Sequence, residues 1–379
     1  MRLAISLTKA RNKREGITRY AIEVCNYLAV KNDIKLCGEA VIGLGDSRDQ
    51  IKAELLDGIG FEDLKILKTF IPKRYIMKIY DGALSLPLST DFLFRNKKDI
   101  KIYFYNFIPK VRESCKRIVV IHDLTPVHEA KSEIEKNKWI KAYQETSDRA
   151  SLIFVDSEHT KKDLLKYVRV REEKIKVNYC GVNLDHFKIN PSATDKEKTI
   201  IKYGLPDKYL LFVGQPRKNK NLYGLIDGFS KLSYYIKQQY KLVITKSNTD
   251  IHKYITVNGL SDFIVELNGV DESDLAIVYQ NASGLALVSF SEGFGLPLLE
   301  AMSLGVPTLA SNVSCLPEIV GDASLLCNPY DVDDIAKKIT VLLTDCSVRN
   351  DLVERGRKRI EKFKWCNTGE LFYREILKL

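Results

Sequence analysis

Residues 284–307 read GLALVSFSEGFGLPLLEAMSLGVP and contain the pattern that decides the fold. An apolar stretch typical of a buried strand comes first, and a glycine turn at residues 293–295 follows it. Pro297 then suits the first turn of a helix, where its missing N–H costs nothing. A strand, a short turn and a helix form the unit from which parallel sheets are built. Two acids flank the turn, Glu292 and Glu300, and the presence of carboxylates in such an apolar segment requires a physical explanation.

The same pattern repeats along the chain, where short apolar runs alternate with amphipathic segments. The runs that predict strands are RLAIS (2–6), IVVIHD (118–123), SLIFVD (151–156), LLFVG (210–214), KLVIT (241–245) and GLALVS (284–289). Helical periodicity follows three of them, in TRYAIEVCNYLA (18–29), KKDLLKYV (161–168) and NLYGLIDGFSKL (221–232). Strands that alternate with helices predict an α/β protein with parallel sheets.

The length of the chain predicts two domains. A chain of 379 residues with 45% hydrophobic residues is longer than one core usually grows and has material for two. A polar, proline-containing stretch, KINPSATDKEK, begins at residue 188 and separates two sets of strands. We therefore expect a first domain over residues 1–187 and a second over residues 188–363, each with its own doubly wound sheet.

Composition and charge limit the partners and the location. Lys and Arg outnumber Asp and Glu by 59 to 49, which suits nucleic acid, an anionic membrane surface or phosphorylated small molecules. Since no nucleic-acid recognition motif accompanies this charge, we expect no nucleic acid partner. The eight scattered cysteines indicate free thiols in a reducing cytoplasm. With no signal peptide pattern and no apolar run of about 20 residues, we expect a cytoplasmic protein, peripheral if it meets membrane.

A first anion site is indicated by LLFVGQPRKNKNLYGLIDGF, residues 210–229. The strand ends at Gly214, and a turn then delivers Arg217, Lys218 and Lys220 just before a helix. Cations and free backbone N–H groups at the carboxyl end of a strand suit a phosphate. The alternative is a solvated basic loop, since lysine-rich turns are common.

A second anion site is indicated by the opening stretch. Glycines at two of three turn positions let the backbone approach a ligand, and the amides of Leu298 and Leu299 are expected to be unpaired in the first helical turn. Glu300 can be a first-turn acid that compensates the helix dipole, and Glu292 a solvated loop acid. Against this, Glu300 lies among apolar residues, where an acid without a use is costly.

The first half offers a weaker candidate in IHDLTP. His122 and Asp123 follow a strand at its carboxyl end, where open α/β sheets bind ligands, although a lone histidine is more often a structural residue. Gly16 opens the first helix at the same edge of its sheet.

Residues 64–80, LKILKTFIPKRYIMKIY, interleave cations with aromatic and aliphatic side chains. They suit either an anionic lipid surface or a core-facing helix with a solvated basic face.

These segments resemble family 4 of the retaining glycosyltransferases. SEGFGLPLLEAMSLGVP is similar to the family's E-x7-E signature, with Glu292 and Glu300 as its two acids. Other segments occur in family order: EGITRY, IHDLTP, FVDSEHTKKDL, KIKVNYCGVNLDHF, FVGQPRKNKNL, LNGVDESDLAIVYQNAS, PTLASNVSCLPEIVGDASLLCNP and FKWCNTGELFYREIL. HDLTP and GQPRKNKN are most similar to bacterial mannosyltransferases of surface polysaccharide assembly, the O-antigen type.

The resemblance implies a GT-B fold, two Rossmann-like domains that face each other across a cleft. The final helix, residues 364–379, would return to the first domain, which would hold the acceptor. The second domain would hold a nucleotide sugar. The implied donor-binding residues are Gly214, Arg217, Lys220, Gly269, Val270, Glu292, Gly293, Phe294, Gly295, Leu296 and Glu300.

Individual roles follow from the same resemblance. Arg217 and Lys220 would hold the diphosphate, Glu300 the ribose hydroxyls and Glu292 the hydroxyls of the transferred sugar. The catalytic residues would be these two cations, Glu292 and His122, with His122 at the transferred sugar. The acceptor side would be formed by Gly16, His122 and Asp123, and Gly269 and Val270 would lie near the base.

Two departures from the family pattern stand out. The glycine pair of the first loop is here Glu15 followed by Gly16, which puts close phosphate approach through that loop in doubt. The arginine that directly follows the strand-end glycine is here Gln215, so Arg217 would act from a shifted position. The first departure concerns the acceptor side, and the second weakens the assignment of Arg217.

The implied reaction is transfer of a hexose with retention of anomeric configuration and without a metal or other cofactor. Mannose from GDP-mannose is the expected donor, and a lipid-linked saccharide is the expected acceptor. UDP- or dTDP-linked sugars, including a rhamnosyl donor, are alternatives within the family. A non-catalytic subunit that binds nucleotide sugars is the alternative outside enzymes. The base, the sugar, the linkage and the oligomeric state do not follow from the sequence.

Overall fold

The computed structural model describes residues 1–6, 16–44, 63–72, 98–110, 114–182 and 191–379. The chain divides into two compact units, and each has its own sheet. The first unit contains Met1–Gly181 and Trp365–Leu379, and the second contains Val182–Lys364. The expected boundary between residues 187 and 188 lies outside the described residues.

The first unit contains a seven-stranded parallel sheet with strand order β3-β2-β1-β4-β5-β6-β7. Its strands are β1 (Arg2–Ser6), β2 (Lys35–Leu44), β3 (Asp63–Pro72), β4 (Ile100–Tyr103), β5 (Lys116–Ile121), β6 (Leu152–Val155) and β7 (Ile175–Val177). Among its described residues the helices are α1 (Gly16–Ala29), α2 (Thr125–His128), α3 (Glu133–Arg149), α4 (Glu158–Tyr167) and α14 (Trp365–Leu377). All residues of β4 and β6 are buried, as expected for strands covered on both faces.

The last helix, α14, completes the core of the first unit. The ring of Phe372 stacks on Phe154 at a centroid distance of 4.2 Å. Gly369 permits close approach to α1, because a Cβ at this position would lie 2.2 Å from the ring of Tyr27. The two ends of the first unit in sequence are therefore joined by direct side-chain packing.

The second unit contains a six-stranded parallel sheet with strand order β10-β9-β8-β11-β12-β13. Its strands are β8 (Tyr209–Phe212), β9 (Lys241–Ile244), β10 (Ile264–Glu266), β11 (Gly284–Leu287), β12 (Thr308–Ser311) and β13 (Leu325–Cys327). Its helices are α5 (Ala193–Tyr203), α6 (Leu222–Ser230), α7 (Tyr234–Gln239), α8 (Thr249–Val257), α9 (Glu272–Gln280), α10 (Leu296–Ser303), α11 (Leu316–Val320), α12 (Val332–Thr344) and α13 (Cys346–Arg359). The predicted α/β class is confirmed.

Strand order positions the candidate site in each unit. In the second unit the chain leaves β8 toward β9 and β10 on one side, whereas β11 to β13 lie on the other side. After β8 and β11 the chain therefore continues toward opposite sides of the sheet, and ligands of open α/β sheets bind in the crevice at such a switch point. In the first unit the switch point lies between β1 and β4.

Where residues 64–80 are described, the structure contradicts the interpretation as a core-facing helix. Residues 63–72 form β3, a strand paired in parallel with β2, and not part of a basic helix. Residues 73–80 lie outside the described residues, so membrane contact through this segment stays a prediction. Within the part of the chain that the structure covers, no helix is long and apolar enough to cross a membrane.

Candidate active site

The loops after β8 and β11 contact each other at the switch point of the second unit. The N–H of Phe290 donates to the carbonyl of Asn219 at 2.8 Å, and the side-chain amide of Asn219 donates to the carbonyl of Ser291 at 2.9 Å. These bonds join residues that lie 71 and 72 positions apart in sequence. The two candidate anion sites of the sequence therefore form one surface.

Lys220 and Glu292 form an ion pair at the centre of this surface. The Nζ of Lys220 lies 2.7 Å from both carboxylate oxygens of Glu292, and the hydroxyl of Ser289 donates to Oε1 at 2.6 Å. Glu292 is 8% exposed, whereas the Lys220 side chain retains 18% of its exposure. Because the carboxylate is held on both oxygens, its position is fixed before any ligand binds.

The main chain of Glu292 is held by a second loop, which follows β12. The N–H of Glu292 donates to the hydroxyl of Ser314 at 3.1 Å, and this hydroxyl donates to the carbonyl of Glu292 at 3.0 Å. The thiol of Cys315 donates to the same carbonyl at 3.2 Å. Burial raises the pKa of Cys315 well above its usual range, so that the group is a thiol and can donate.

Glu300 occupies a separate position on α10. It is 7% exposed, and the buried phenol of Tyr279 donates to its Oε2 at 2.7 Å. Gly295 precedes the helix with φ 95°, and a Cβ there would lie 2.6 Å from Leu316. This position requires glycine both for its left-handed backbone and for its close packing.

One expectation for the first turn of α10 was wrong. The N–H of Leu298 is not free for a ligand, because it donates to the carbonyl of Gly295 at 3.0 Å. Pro297 lies in the first helical turn, as its missing N–H permits.

The other donor-side residues surround this centre. Arg217 is exposed, and it precedes the 3₁₀ turn Lys218–Lys220. Asn221 follows that turn with φ 50°, and its side-chain amide donates to the carbonyls of Val288 and Pro329 at 3.0 and 2.8 Å. The amide of Asn221 therefore ties the cationic loop to the end of β11.

The remaining predicted residues lie at the same edge of the second sheet. Gly214 lies two residues after the end of β8, with φ 150°. Gly269 follows β10 with φ 106°, its N–H donates to the carbonyl of Thr245 at 3.1 Å, and Val270 comes next. Gly293 and buried Phe294 lie in the turn that leads into α10, and Leu296 is the first residue of that helix.

His122 is in a different environment, inside the first unit. Its Nδ1 lies 2.6 Å from a carboxylate oxygen of Asp156, and its Nε2 lies 2.7 Å from the carbonyl of Phe104. The residue is 4% exposed, and its backbone N–H donates to the side chain of Asn106. Both ring nitrogens are therefore engaged, which matches the structural alternative. A role at the transferred sugar stays a prediction and requires one of these bonds to open.

The protonation of this pair follows from its surroundings. Burial would lower the pKa of His122, but the Asp156 carboxylate outweighs that effect and the pKa is raised. Burial raises the pKa of Asp156, and the charge of His122 opposes that rise only in part. When His122 is protonated, both of its ring nitrogens can donate, one to Asp156 and the other to the carbonyl of Phe104.

The other two acceptor-side candidates lie near the carboxyl ends of their strands. Asp123 is half-buried, and its carboxylate accepts the N–H of Thr125 at 3.0 Å. Gly16 is exposed at the start of α1, while its neighbour Glu15 lies outside the described residues. No direct contact joins Gly16 to Asp123 among the hydrogen bonds of the described segments.

Sequence reasoning missed three residues that hold the two acids: Ser289, Ser314 and Tyr279. Ser289 lies three residues before Glu292 at the end of an apolar run, and a polar residue there is a weak signal. Ser314 and Tyr279 had no local signal, because each meets its acid through a contact 21 or 22 residues away in sequence.

Comparison with known proteins identifies the class. Residues 195–359 match the family model of the group 1 glycosyl transferases, and this chain contains a domain of that family. Over its whole length the chain is similar to the sucrose-phosphate synthase of Thermosynechococcus elongatus, with TM-score 0.75, 18% identity and coverage of 100% and 99%. It is also similar to WaaG, a glycosyltransferase involved in lipopolysaccharide biosynthesis, with TM-score 0.71, 14% identity and 97% coverage of both chains. The fold is GT-B.

The chain is also similar in sequence to several O-antigen mannosyltransferases. The chain is 29% identical to the O-antigen chain mannosyltransferase B of Escherichia coli over 364 residues, 93% of both proteins. It is 28% identical to the O-antigen chain mannosyltransferase RfbU of Salmonella typhimurium over 340 residues, 87% of both. Serotype-specific mannosyltransferase WbdA of Escherichia coli matches at 26% identity, and there the aligned region is 43% of the relative. The protein is a glycosyltransferase.

Proposed function

We propose that this glycosyltransferase moves mannose from GDP-mannose to a saccharide acceptor, in the assembly of a surface polysaccharide. The observation that carries the proposal is the Lys220–Glu292 pair at the switch point of the second sheet, with both nitrogen–oxygen distances at 2.7 Å. The sugar is assigned from similarity to the O-antigen mannosyltransferases. A lipid-linked saccharide is the proposed acceptor, at the cytoplasmic face of a membrane.

In the proposed reaction, the bond between the anomeric carbon of mannose and the diphosphate oxygen breaks as the acceptor oxygen bonds to that carbon. The acceptor's proton passes to the leaving phosphate on the same face, so that configuration is retained. Positive charge on the sugar and negative charge on the diphosphate both grow in the transition state. Groups fixed near these charges lower the barrier because they need no reorganisation.

Lys220 and Arg217 are proposed to bind the diphosphate. Lys220 keeps partial exposure while bonded to Glu292, so that a phosphate oxygen can become a further acceptor for its three N–H groups. Arg217 is exposed and can reorient toward the ligand at small cost. With charge neutralised in this way, we propose that the reaction needs no metal ion.

The two acids are proposed to bind the two sugars of the donor. Glu292, buried and held by Ser289, accepts hydroxyl hydrogens of mannose. Glu300, held by Tyr279, accepts those of the ribose. Carboxylates fixed in this way favour a donor that presents hydroxyl groups at both positions.

The test is a thermal-shift screen followed by a transfer assay. A ligand that binds only the folded state raises its melting temperature, and GDP-mannose should do so more than UDP-glucose or dTDP-rhamnose. Transfer is then measured with radiolabelled GDP-mannose and a lipid-linked saccharide. A larger shift with a UDP or dTDP donor would reassign the donor. Binding of GDP-mannose without any product would indicate a non-catalytic sensor.

Two finer parts of the proposal have their own measurements. NMR of the product reports the anomeric configuration, and a β-linked product from α-linked GDP-mannose would contradict retention. Transfer in excess EDTA should equal transfer in buffer with added Mg²⁺. A loss of activity in EDTA that Mg²⁺ restores would show that the reaction uses a metal.

A further inference from the structure

Ser314 adopts a backbone conformation that is costly for its residue type. It lies between β12 and α11 with φ 61°, in the left-handed region. This region costs most residues other than glycine free energy because the Cβ approaches the following carbonyl. Such a conformation persists only where the surroundings require it, and it occurs often at functional sites.

The hydroxyl of Ser314 makes two hydrogen bonds to one residue. It accepts the N–H of Glu292 at 3.1 Å and donates to the carbonyl of Glu292 at 3.0 Å. The neighbouring thiol of Cys315 donates to that carbonyl as well, at 3.2 Å. The main chain on both sides of the Glu292 Cα is therefore fixed by the loop after β12.

The side chain of Glu292 is also held by hydrogen bonds on both of its carboxylate oxygens. Ser289 and Lys220 bond its Oε1 at 2.6 and 2.7 Å, and Lys220 bonds its Oε2 at 2.7 Å. All four polar atoms of Glu292 thus have a partner. Since the hydroxyl of Ser314 serves two of them, it is the largest single restraint on the main chain of this acid.

We propose that Ser314 is a positioning residue for Glu292, and that its left-handed backbone is retained because it brings the hydroxyl to the main chain of that acid. The proposal rests on the proposed function, in which Glu292 contacts the transferred sugar. Ser314 itself touches no substrate. Its effect is to place the Glu292 carboxylate where the sugar hydroxyls bind.

Two substitutions separate positioning from stability, because they affect the backbone in opposite ways. Ser314→Gly removes the hydroxyl and also relieves the left-handed conformation. Ser314→Ala removes the hydroxyl and keeps the unfavourable conformation. We expect the melting temperature of the glycine variant to be higher than that of the alanine variant by about 3 °C. If Ser314 served only the stability of the fold, the transfer rates of the two variants would follow the same order as their melting temperatures.

Positioning predicts a different result. Both variants should lose kcat by a similar factor, about 10- to 100-fold, because a misplaced group near the reacting atoms is costly whatever the stability of the fold. Affinity for GDP, which lacks the sugar, should stay at the wild-type value in both. Affinity for GDP-mannose should fall toward that for GDP.

Ser324→Ala is the matched control. Ser324 is a buried serine of the same unit, 8% exposed, and its hydroxyl bonds the carbonyls of Thr308 and Leu325 at 2.9 and 3.1 Å. It contacts neither acid, so its loss should lower the melting temperature and leave kcat unchanged.

Wild-type transfer by Ser314→Gly would overturn the proposal, as would kcat values that rise and fall with the melting temperature.

If the wild type uses another nucleotide sugar, the same ratios are measured with that donor and its nucleoside diphosphate. If it binds donors but transfers nothing, the proposed function fails. The ratio of nucleotide sugar affinity to nucleoside diphosphate affinity then tests Ser314 by itself. A ratio that is unchanged in both variants would contradict positioning.

Discussion

The two units share one plan of parallel strands but differ in where their candidate side chains lie. In the second unit, Lys220 and Glu292 come from the loops after β8 and β11, the two strands that flank the switch point. In the first unit, His122 follows β5, one strand away from the switch point between β1 and β4. The loops beside the switch point therefore form a surface that a ligand can reach, whereas the loop one strand away holds its histidine in the interior of the unit.

The same contrast is found in the hydrogen bonds. Lys220 keeps 18% of its side-chain exposure and can share its charge with a further acceptor. His122 is buried, with both ring nitrogens bonded inside its unit. Polar groups that serve a ligand must be able to exchange partners, whereas polar groups that serve the fold are satisfied internally. Four predictions test this distinction.

The largest effect is expected from Lys220→Ala. The change removes a cation from the diphosphate and leaves Glu292 without its ion pair, so kcat/KM should fall about 10²- to 10³-fold. Lys218→Ala is the control, since this exposed lysine lies in the same turn. Steady-state transfer rates measure both. Equal losses in the two variants would show that only the total charge of the loop matters. The contrast between the ligand surface of the second unit and the buried histidine of the first would then not hold.

His122→Gln should act on stability. Breaking a buried pair leaves Asp156 uncompensated, which should cost about 3 kcal/mol in the free energy of unfolding. Urea unfolding measures this, with His252→Gln as the control, because that histidine is 70% exposed while bonded to Glu266. A His122→Gln variant with wild-type stability and no transfer would place His122 in the chemistry after all.

The pH dependence of stability should report the same residue. A raised pKa in the folded state means that His122 contributes stability fully below about pH 6.5, its usual value. This contribution is lost as pH rises through the raised value, at about 1.4 kcal/mol for each unit of difference. Urea unfolding between pH 6 and 9 should show the decline in the wild type. The decline should be absent from His122→Gln, and an identical slope in both proteins would show that the raised pKa of His122 does not cause it.

The smallest effect is expected from Tyr279→Phe. Loss of the hydrogen bond to Glu300 should weaken donor binding about fivefold, since a typical hydrogen bond contributes about 1 kcal/mol net and the acid itself remains in place. Tyr209→Phe is the control, because that buried phenol donates to the carbonyl of Val278 at 2.6 Å and contacts neither acid. Calorimetric titration with the donor separates the two. Equal affinities would show that Glu300 needs no support from Tyr279.

Much of the fold could be predicted from local pattern. The strand RLAIS (2–6) matches β1 residue for residue, and GLALVS (284–289) contains β11, Gly284–Leu287. Apolar runs bounded by glycine or polar residues carry enough information for this, because burial on both faces demands them. The helix expected over residues 64–80 was wrong for residues 64–72, because these residues pair with β2, a partner that local periodicity does not contain.

The sequence by itself determined the α/β class, the glycine turn before α10 and the candidate residues Arg217, Lys220, Glu292 and Glu300. Those follow from short-range patterns and from a family signature carried by nearby residues. Only the tertiary structure decided that Lys220 bonds Glu292 across 72 residues, that both nitrogens of His122 are engaged, and that Ser314 holds the main chain of Glu292. These facts depend on strand order, because the order of strands in a sheet decides which distant loops meet, and no local pattern encodes it.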